Sequence, residues 1–286
     1  MANQMAAINS RIRSVKSTRK IVRAMSLVST AKLQKSRARV AANIAYSGYY
    51  RQVIDRVSHL GAEAAADSIY FRAAAVANPL HIVITSNSGL CGAYNDELLK
   101  YVARNIPHDE PIFAIGSYGI KRMRHDGFLL VKTFDKLENI DQQTTSLLIY
   151  DIMELYRHGE VSSIDIIYTH YINTLTFRPA RYSLLPLTIQ PAGVQDTLLM
   201  EPSRAAVLDE LVPLYVSALV YNTLLESKIS EHAARRAAME SANRNAEQLL
   251  DELTLKRNQA RQEAITQEVT EITSGSQGLG RKDDDE

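Results

Sequence analysis

Apolar residues near the start of the chain recur at spacings of three and four. Ile8, Ile12, Val15, Val22, Met25 and Val28 fall on one stripe, with Arg and Lys on the other faces, and this period predicts a helix. The stripe continues more weakly through Ala31, Leu33, Val40 and Ile44, then past Gly48 to Val53, Ile54 and Val57, so a helix is expected from about residue 3 to 58. Residues 61–78 are Ala-rich without a clear period and read as a connector. The middle of the chain alternates in type. Short β-branched runs at Leu80–Thr85, Pro111–Ile115, Phe128–Phe134, Ser163–His170 and Arg181–Leu187 read as strands. Helical stretches at about Ala93–Asn105, Tyr118–His125 and Thr144–Arg157 lie between them, which indicates a parallel or mixed open sheet.

A linker, Pro191–Pro202, leads into a last amphipathic stretch. There Leu211, Tyr215, Ala218, Leu225, Ile229, Met239, Ala246, Leu250, Leu253, Ala260 and Ala264 follow a 3–4 alternation, interrupted by Asn222, His232, Arg236, Asn243 and Arg257. An isolated dimer zipper tolerates few polar seam positions. The natural partner is therefore the first helix of the same chain. The two ends also lack Gly and Pro, over residues 1–47 and Leu214–Ser274. At ~1.5 Å per residue these runs extend roughly 70 and 90 Å, against a globule of about 30–35 Å, so both are expected to project from their domain. The longer second run is expected to end as a single helix. The fold class read from the chain is α/β: a long antiparallel coiled coil of N- and C-terminal helices plus a Rossmann-like α/β domain. The expected division is 1–60 and 201–279 for the helices, 61–200 for the α/β domain, and 280–286 as a disordered acidic tail.

Composition narrows the class. Charged residues at 23% and apolar residues at 45% argue against wholesale disorder and against a membrane protein, and no apolar run reaches the ~18–20 residues of a span. No secretory or transit segment is expected at the start. With Cys91 the sole cysteine, an intramolecular disulfide is excluded and a reducing, cytosolic setting is expected. The net charge of +1 hides an asymmetry: residues 1–54 carry eleven basic and no acidic side chains, leaving 22 basic and 32 acidic in the rest. Such segregation calls for an acidic partner, which could be nucleic acid, an anionic membrane or a protein surface.

Candidate chemistry is sparse. Thr85–Asn95 (TSNSGLCGAYN) has a strand, a Gly-bearing turn and a helix start, but lacks the Lys-Ser/Thr of a P-loop and the full GxGxxG. A tight turn forming a contact surface is the better reading. No His lies near Cys91 in sequence to act as its base, so the thiol reads as small and partly buried. The seven histidines are scattered without a metal-ligand spacing. Asp251 and Glu252, with Lys256 following, read as helix-surface support. Catalytic, cofactor-binding and metal-binding residues are therefore expected to be absent. The basic stripe lacks interleaved aromatics, which weakens a nucleic-acid reading.

Three segments carry a resemblance. Arg11–Leu33 (RIRSVKSTRKIVRAMSLVSTAKL) resembles the N-terminal helix of the γ subunits of F-type ATP synthases, bacterial type. Thr85–Asn95 resembles that family's Gly-Leu-Cys-Gly turn, and Glu240–Gly275 its C-terminal helix, with ARQxxITQExxEI as the most specific piece. The resemblance covers essentially the whole chain in order. It implies a non-catalytic rotor shaft that couples proton or sodium flow to ATP synthesis or hydrolysis at the catalytic β subunits. The implied partners are the α and β subunits of the F1 ring, the ε subunit and the membrane c-ring, with no nucleic acid and contact to the membrane only through the complex. The implied place is peripheral, on the cytoplasmic face of the cell membrane. A basic-armed nucleic-acid or membrane adaptor is the alternative; it explains residues 1–54 but not the long mixed-charge C-terminal helix. A small nucleotide-binding enzyme with helical extensions is the second rival.

The resemblance also assigns contacts. Lys16, Lys20 and Arg23 match positions facing the acidic C-terminal regions of β, and Met25 matches the position beside the β levers. Cys91 lies in the contact turn, while Arg261, Gln262, Thr266 and Glu268 match the polar cluster that meets loops of the ring near the shaft's top. Departures are Asn87-Ser88 where the family has Asp-Arg, Ser26-Leu27 after Ala-Met, Leu198–Pro202 without the usual aromatic, and the tail Asp283–Glu286. The dithiol insertion of chloroplast relatives is absent.

Overall fold

The computed structural model describes residues 2–59, 68–72, 77–135, 141–173, 176–187, 201 and 203–279. In chain order the elements are α1 (Ala2–His59), a 3-10 turn (Ile69–Phe71), β1 (Pro79–Ile84), α2 (Tyr94–Asn105) and β2 (Ile112–Ile115). There follow α3 (Ser117–His125), β3 (Leu130–Phe134), α4 (Gln142–Arg157), β4 (Ser163–Tyr171), β5 (Phe177–Leu185) and α5 (Arg204–Leu279). Most of the linker Pro191–Pro202 and the tail 280–286 lie outside the described residues, as does much of the 61–78 connector. The chain divides into two compact units, residues 1–28 with 238–286, and residues 29–237.

In the first unit the start of α1 and the end of α5 pair antiparallel. Ile12, Leu250 and Leu253 form a buried cluster joined by Ile8, Val15 and Leu249. Nearer the other end of the pair, Arg19 donates from Nε to Asn243 Oδ1 at 3.3 Å and from Nη2 to Glu247 Oε1 at 2.7 Å. Partners thus fall along α5 as they rise along α1. From Arg261 to Thr273 every residue of α5 is exposed except the partly buried Ala264, as expected of a helix that outruns its partner.

The second unit holds a five-stranded sheet in the order β3-β2-β1-β4-β5. The β1–β2, β1–β4 and β2–β3 pairs are parallel, whereas β4–β5 is antiparallel. Alternation along β1 explains both layers. Leu80, Ile82 and Ile84 pack with Ile149, Ile152 and Met153 of α4 and with Leu208, Val212 and Val216 of α5. Val83, on the opposite face, packs with Leu98 and Val102 of α2 and with Ile120 and Met123 of α3. Strand β5 begins at Phe177, four residues before the expected start. Pro179 and the polar alternation around it hide the strand in the sequence, yet an edge position tolerates a proline. The last helix, α5, runs from Arg204 to Leu279 through Pro213 and Gly275, and so extends at both ends beyond the Gly- and Pro-free run Leu214–Ser274.

α1 and α5 also pair in this unit, through Leu33 with Ile229 and Ala233, and through Asn43 Nδ2 to Asn222 Oδ1 at 2.7 Å. An 18-residue window within α5 reaches a mean hydropathy of 1.2, and 44% of it is buried inside the protein. Its apolarity is that of a core helix: Val212, Val216, Val220 and Leu224 all lie in the sheet's main cluster.

Candidate functional site

In open α/β sheets ligands bind beyond the carboxyl ends of the strands, where the strand order switches direction. Here that place lies between β1 and β4, and the chain's own atoms fill it. Tyr94, fully buried, donates to the Ser227 carbonyl of α5 at 3.2 Å. Ser230 donates to the Thr169 carbonyl at the end of β4, at 3.0 Å. Burial, followed by the charge of Glu231, raises the Tyr94 pKa well above the ordinary value. The start of α2 carries Asp96 and Glu97, whose charges oppose a phosphate at that helix end. A close approach completes the packing: Gly116 has φ +100°, and a Cβ there would sit 2.3 Å from the Thr85 carbonyl oxygen. Thr85 Oγ1 accepts from Gly119 N at 3.0 Å.

The turn Thr85–Gly92 is held from below by a buried polar knot. Asn95 Oδ1 accepts from Ser86 N at 3.0 Å, and its Nδ2 donates to Cys91 Sγ at 3.3 Å. Cys91 is buried against Tyr94 and Ala234. Burial pushes its thiol pKa up, with Arg235 pulling the other way. At 2% exposure its side chain is part of the chain's interior, so the expected partner contact through Cys91 itself is corrected: the sulfur faces inward. The outward residue of the turn is Leu90, 64% exposed and at φ 60°, a left-handed backbone that costs an L-residue about 1–2 kcal/mol.

Arg235 of α5 supports this tip. Its Nη2 donates to the carbonyls of Ser88 at 3.0 Å and Gly89 at 3.3 Å, while Nη1 pairs with Glu231 at 2.6 Å. Asn87 Oδ1 accepts from Ser117 N at 3.2 Å, so the residue that departs from the usual Asp tethers the start of α3. Arg235, Asn95 and Tyr94 escaped the sequence reading because their partners are backbone or distant residues. The apolar Leu90 at a glycine turn was the one available signal.

The cations of α1 fall into two groups. Arg19 is tied to α5, Arg37 donates to and lies over Tyr171, and Arg51 donates to Tyr215 Oη at 3.4 Å. Lys16, Lys20 and Arg23 are exposed, and Met25 is half-buried beside them. Arg261, Gln262, Thr266 and Glu268 are exposed on α5, with Thr266 Oγ1 donating back to the Gln262 carbonyl at 2.9 Å. Gln262 and Thr266 border a shallow depression with Gln259, Glu263 and Gln267. The α1 cations, Met25 and the exposed end of α5 thus belong to the first unit, and the turn that holds Cys91 to the second.

Two buried polar side chains elsewhere have ionic partners within the chain. His81 Nε2 lies 2.7 Å from Glu110 Oε2, and Arg181 pairs with the buried Asp165 at 2.5 Å. Among the described residues no group of three His, Cys, Asp or Glu side chains could hold a metal ion.

A family model described as ATP synthase matches residues 4–279. The ATP synthase gamma chain of Mycoplasma mycoides subsp. mycoides is 35% identical, over 95% of this chain and 98% of the relative. That of Clostridium kluyveri is 32% identical, over 96% and 98% respectively. Among solved structures, a chain of the Euglena gracilis mitochondrial ATP synthase (OSCP/F1/c-ring, rotational state 3) shares the fold with a TM-score of 0.74. It is 17% identical, over 99% of this chain and 97% of that one. A match along nearly the full length, to gamma chains of nearly equal span, leaves one assignment: the chain belongs to the ATP synthase family, among its gamma chains.

Proposed function

We propose that this chain works as the central rotor shaft of an F-type ATP synthase, carrying rotation between a membrane ion-driven ring and the catalytic β subunits. It is a non-catalytic subunit. Its partners are the α and β subunits of the α3β3 ring, the ε subunit and the membrane c-ring. The complex is membrane-associated, and the chain's place in it is the cytoplasmic face of the cell membrane. Residues 1–60 and 201–279 form the shaft helices, 61–200 the α/β domain and 280–286 a tail.

One observation carries the reading most directly. The antiparallel pair of α1 and α5 satisfies its seam with its own residues, while Lys16, Lys20 and Arg23 remain exposed. A seam closed from within leaves those cations for an acidic surface outside, which suits the C-terminal regions of β. Met25 sits beside the β levers, Leu90 makes the contact at the Gly-Leu-Cys-Gly turn, and Arg261, Gln262, Thr266 and Glu268 meet the ring near the top. Exposed ion pairs are worth ~0–1 kcal/mol each. The angular landscape therefore rests on several weak contacts, which keeps a rotor from stalling in a deep well.

The test is Met25→Lys in the assembled ATPase, in membrane vesicles, with protons pumped measured per ATP hydrolysed. The expected outcome is a reduced ratio with assembly retained. A normal ratio would remove Met25 from the coupling contacts.

A further inference from the structure

Pro213 lies inside α5. Proline has no peptide N–H and its ring crowds the carbonyl four residues earlier, so the Asp209 carbonyl loses its helical donor. That carbonyl is not left bare: Nη2 of Arg157 donates to it at 3.1 Å. Arg157 ends α4, and its other nitrogens are engaged as well. Nε donates to Tyr70 Oη at 3.0 Å and Nη1 to Glu154 Oε1 at 2.8 Å. One planar guanidinium thus spans α4, α5 and the 3-10 turn, a geometry its fixed fork of donors allows and a lysine ammonium does not.

The surroundings hold this fork in place. Tyr70 is wholly buried, and its carbonyl accepts from Leu187 N at 2.7 Å. Tyr156, the preceding residue of α4, donates to the carbonyls of Ile69 at 3.2 Å and Arg72 at 2.9 Å. Leu208 and Val212, on either side of Asp209, are buried in the sheet's main cluster. Arg157 therefore meets α5 at the point where a proline has weakened it, and meets it from an element packed on the same core.

We propose that Arg157 is a positioning residue that replaces the N–H removed by Pro213, locking the start of α5 to α4 and to the Tyr70 turn. What the lock serves rests on the rotor reading: a stiff joint lets α5 and the sheet turn together. The lock itself does not depend on that reading, and its test is chosen accordingly.

Hydrogen exchange by mass spectrometry on the full-length chain, in peptides covering 204–217, compares Arg157→Met, Pro213→Ala and the double variant. Local opening of a helix end is read directly by this exchange. Arg157→Met is expected to speed exchange about tenfold beside Pro213, the size of effect a charge-assisted hydrogen bond supports. In the Pro213→Ala background, where the N–H is restored, the same change is expected to have an effect of under about twofold. Tyr70→Phe keeps the Arg157 arm to the Asp209 carbonyl but removes a hydroxyl that also meets the Asp209 side chain, so it should speed exchange less than Arg157→Met. Equal acceleration by Arg157→Met in both backgrounds would overturn the proposal, since Arg157 would then act only through Tyr70 and Glu154. Faster exchange in Pro213→Ala alone, which needs no change at Arg157, would overturn it too. A normal pumping ratio in an Arg157→Met ATPase with accelerated exchange would leave the lock standing and count against its rotary purpose alone.

Discussion

Protonating His232 should loosen the seam between α1 and α5 around it. The ring is buried on α5, its Nδ1 has no hydrogen-bond partner among the described residues, and it faces Arg235, Lys32 of α1 and Lys228. Burial first, then these three charges, lower its pKa from 6.5 to about 4. The folded state therefore binds this proton less readily than the unfolded chain does. The contribution to stability is whole above pH 6.5, is lost as pH falls from 6.5 towards 4, and stays lost below that. At about 1.36 kcal/mol per pH unit the full loss is about 3 kcal/mol, of which about 2 kcal/mol has gone by pH 5. His232→Gln removes the titration and keeps a polar side chain. Urea denaturation of the full-length chain, followed by circular dichroism at pH 7.5 and pH 5, gives the difference between wild type and variant. Carboxylates affect both proteins alike, so the comparison isolates the imidazole. The variant should gain about 2 kcal/mol on the wild type between these pH values. Parallel pH dependence of the two proteins would refute the reasoning.

Leu33 is 2% exposed against Ile229 and Ala233, so Leu33→Ala should cost about 2–5 kcal/mol; a denaturation midpoint unchanged from wild type would show that the seam does not need it. Gly116→Ala places a methyl 2.3 Å from the Thr85 carbonyl oxygen at φ +100°, and should cost more than about 2 kcal/mol; a melting curve close to wild type would contradict the tight β1–α3 approach. Leu90→Gly relieves a left-handed φ of 60° on an exposed residue. It should hold or slightly raise the melting temperature while lowering the pumping ratio of the assembled ATPase, and an unchanged ratio would remove Leu90 from the contact.

Much of this architecture was legible in the sequence, because long heptad-like patterns and β-branched runs carry strong periods. The serines of the seam were not. The apolar stripe on α1 pointed to Val28, yet Val28 is 54% exposed while Ser29 and Ser36 are buried. Those two serines continue the 3–4 spacing of Ile8, Ile12, Val15 and Val22, and a hydrophobicity pattern cannot see a small polar residue in a closely packed seam. On α5 several expected positions do line the seam, among them Ile229, Leu250 and Leu253, and the interrupting Asn222 and Asn243 meet Asn43 and Arg19. These two asparagines pair across the seam, which only the register reveals. At the Gly-Leu-Cys-Gly turn the sequence marked the right loop but not which side chain faces out. That depends on Asn95 holding Cys91 inward and on Arg235 reaching the turn from far along the chain.

Rotation of this chain inside its complex is the central claim. Cys91 is the sole cysteine and is buried, so Lys121→Cys on the exposed face of α3 provides a single labelling point in the α/β domain. With the α and β subunits fixed to a surface and a bead on residue 121, ATP should drive stepwise rotation in one direction. A bead that stays still while the same immobilised complexes hydrolyse ATP would contradict the account.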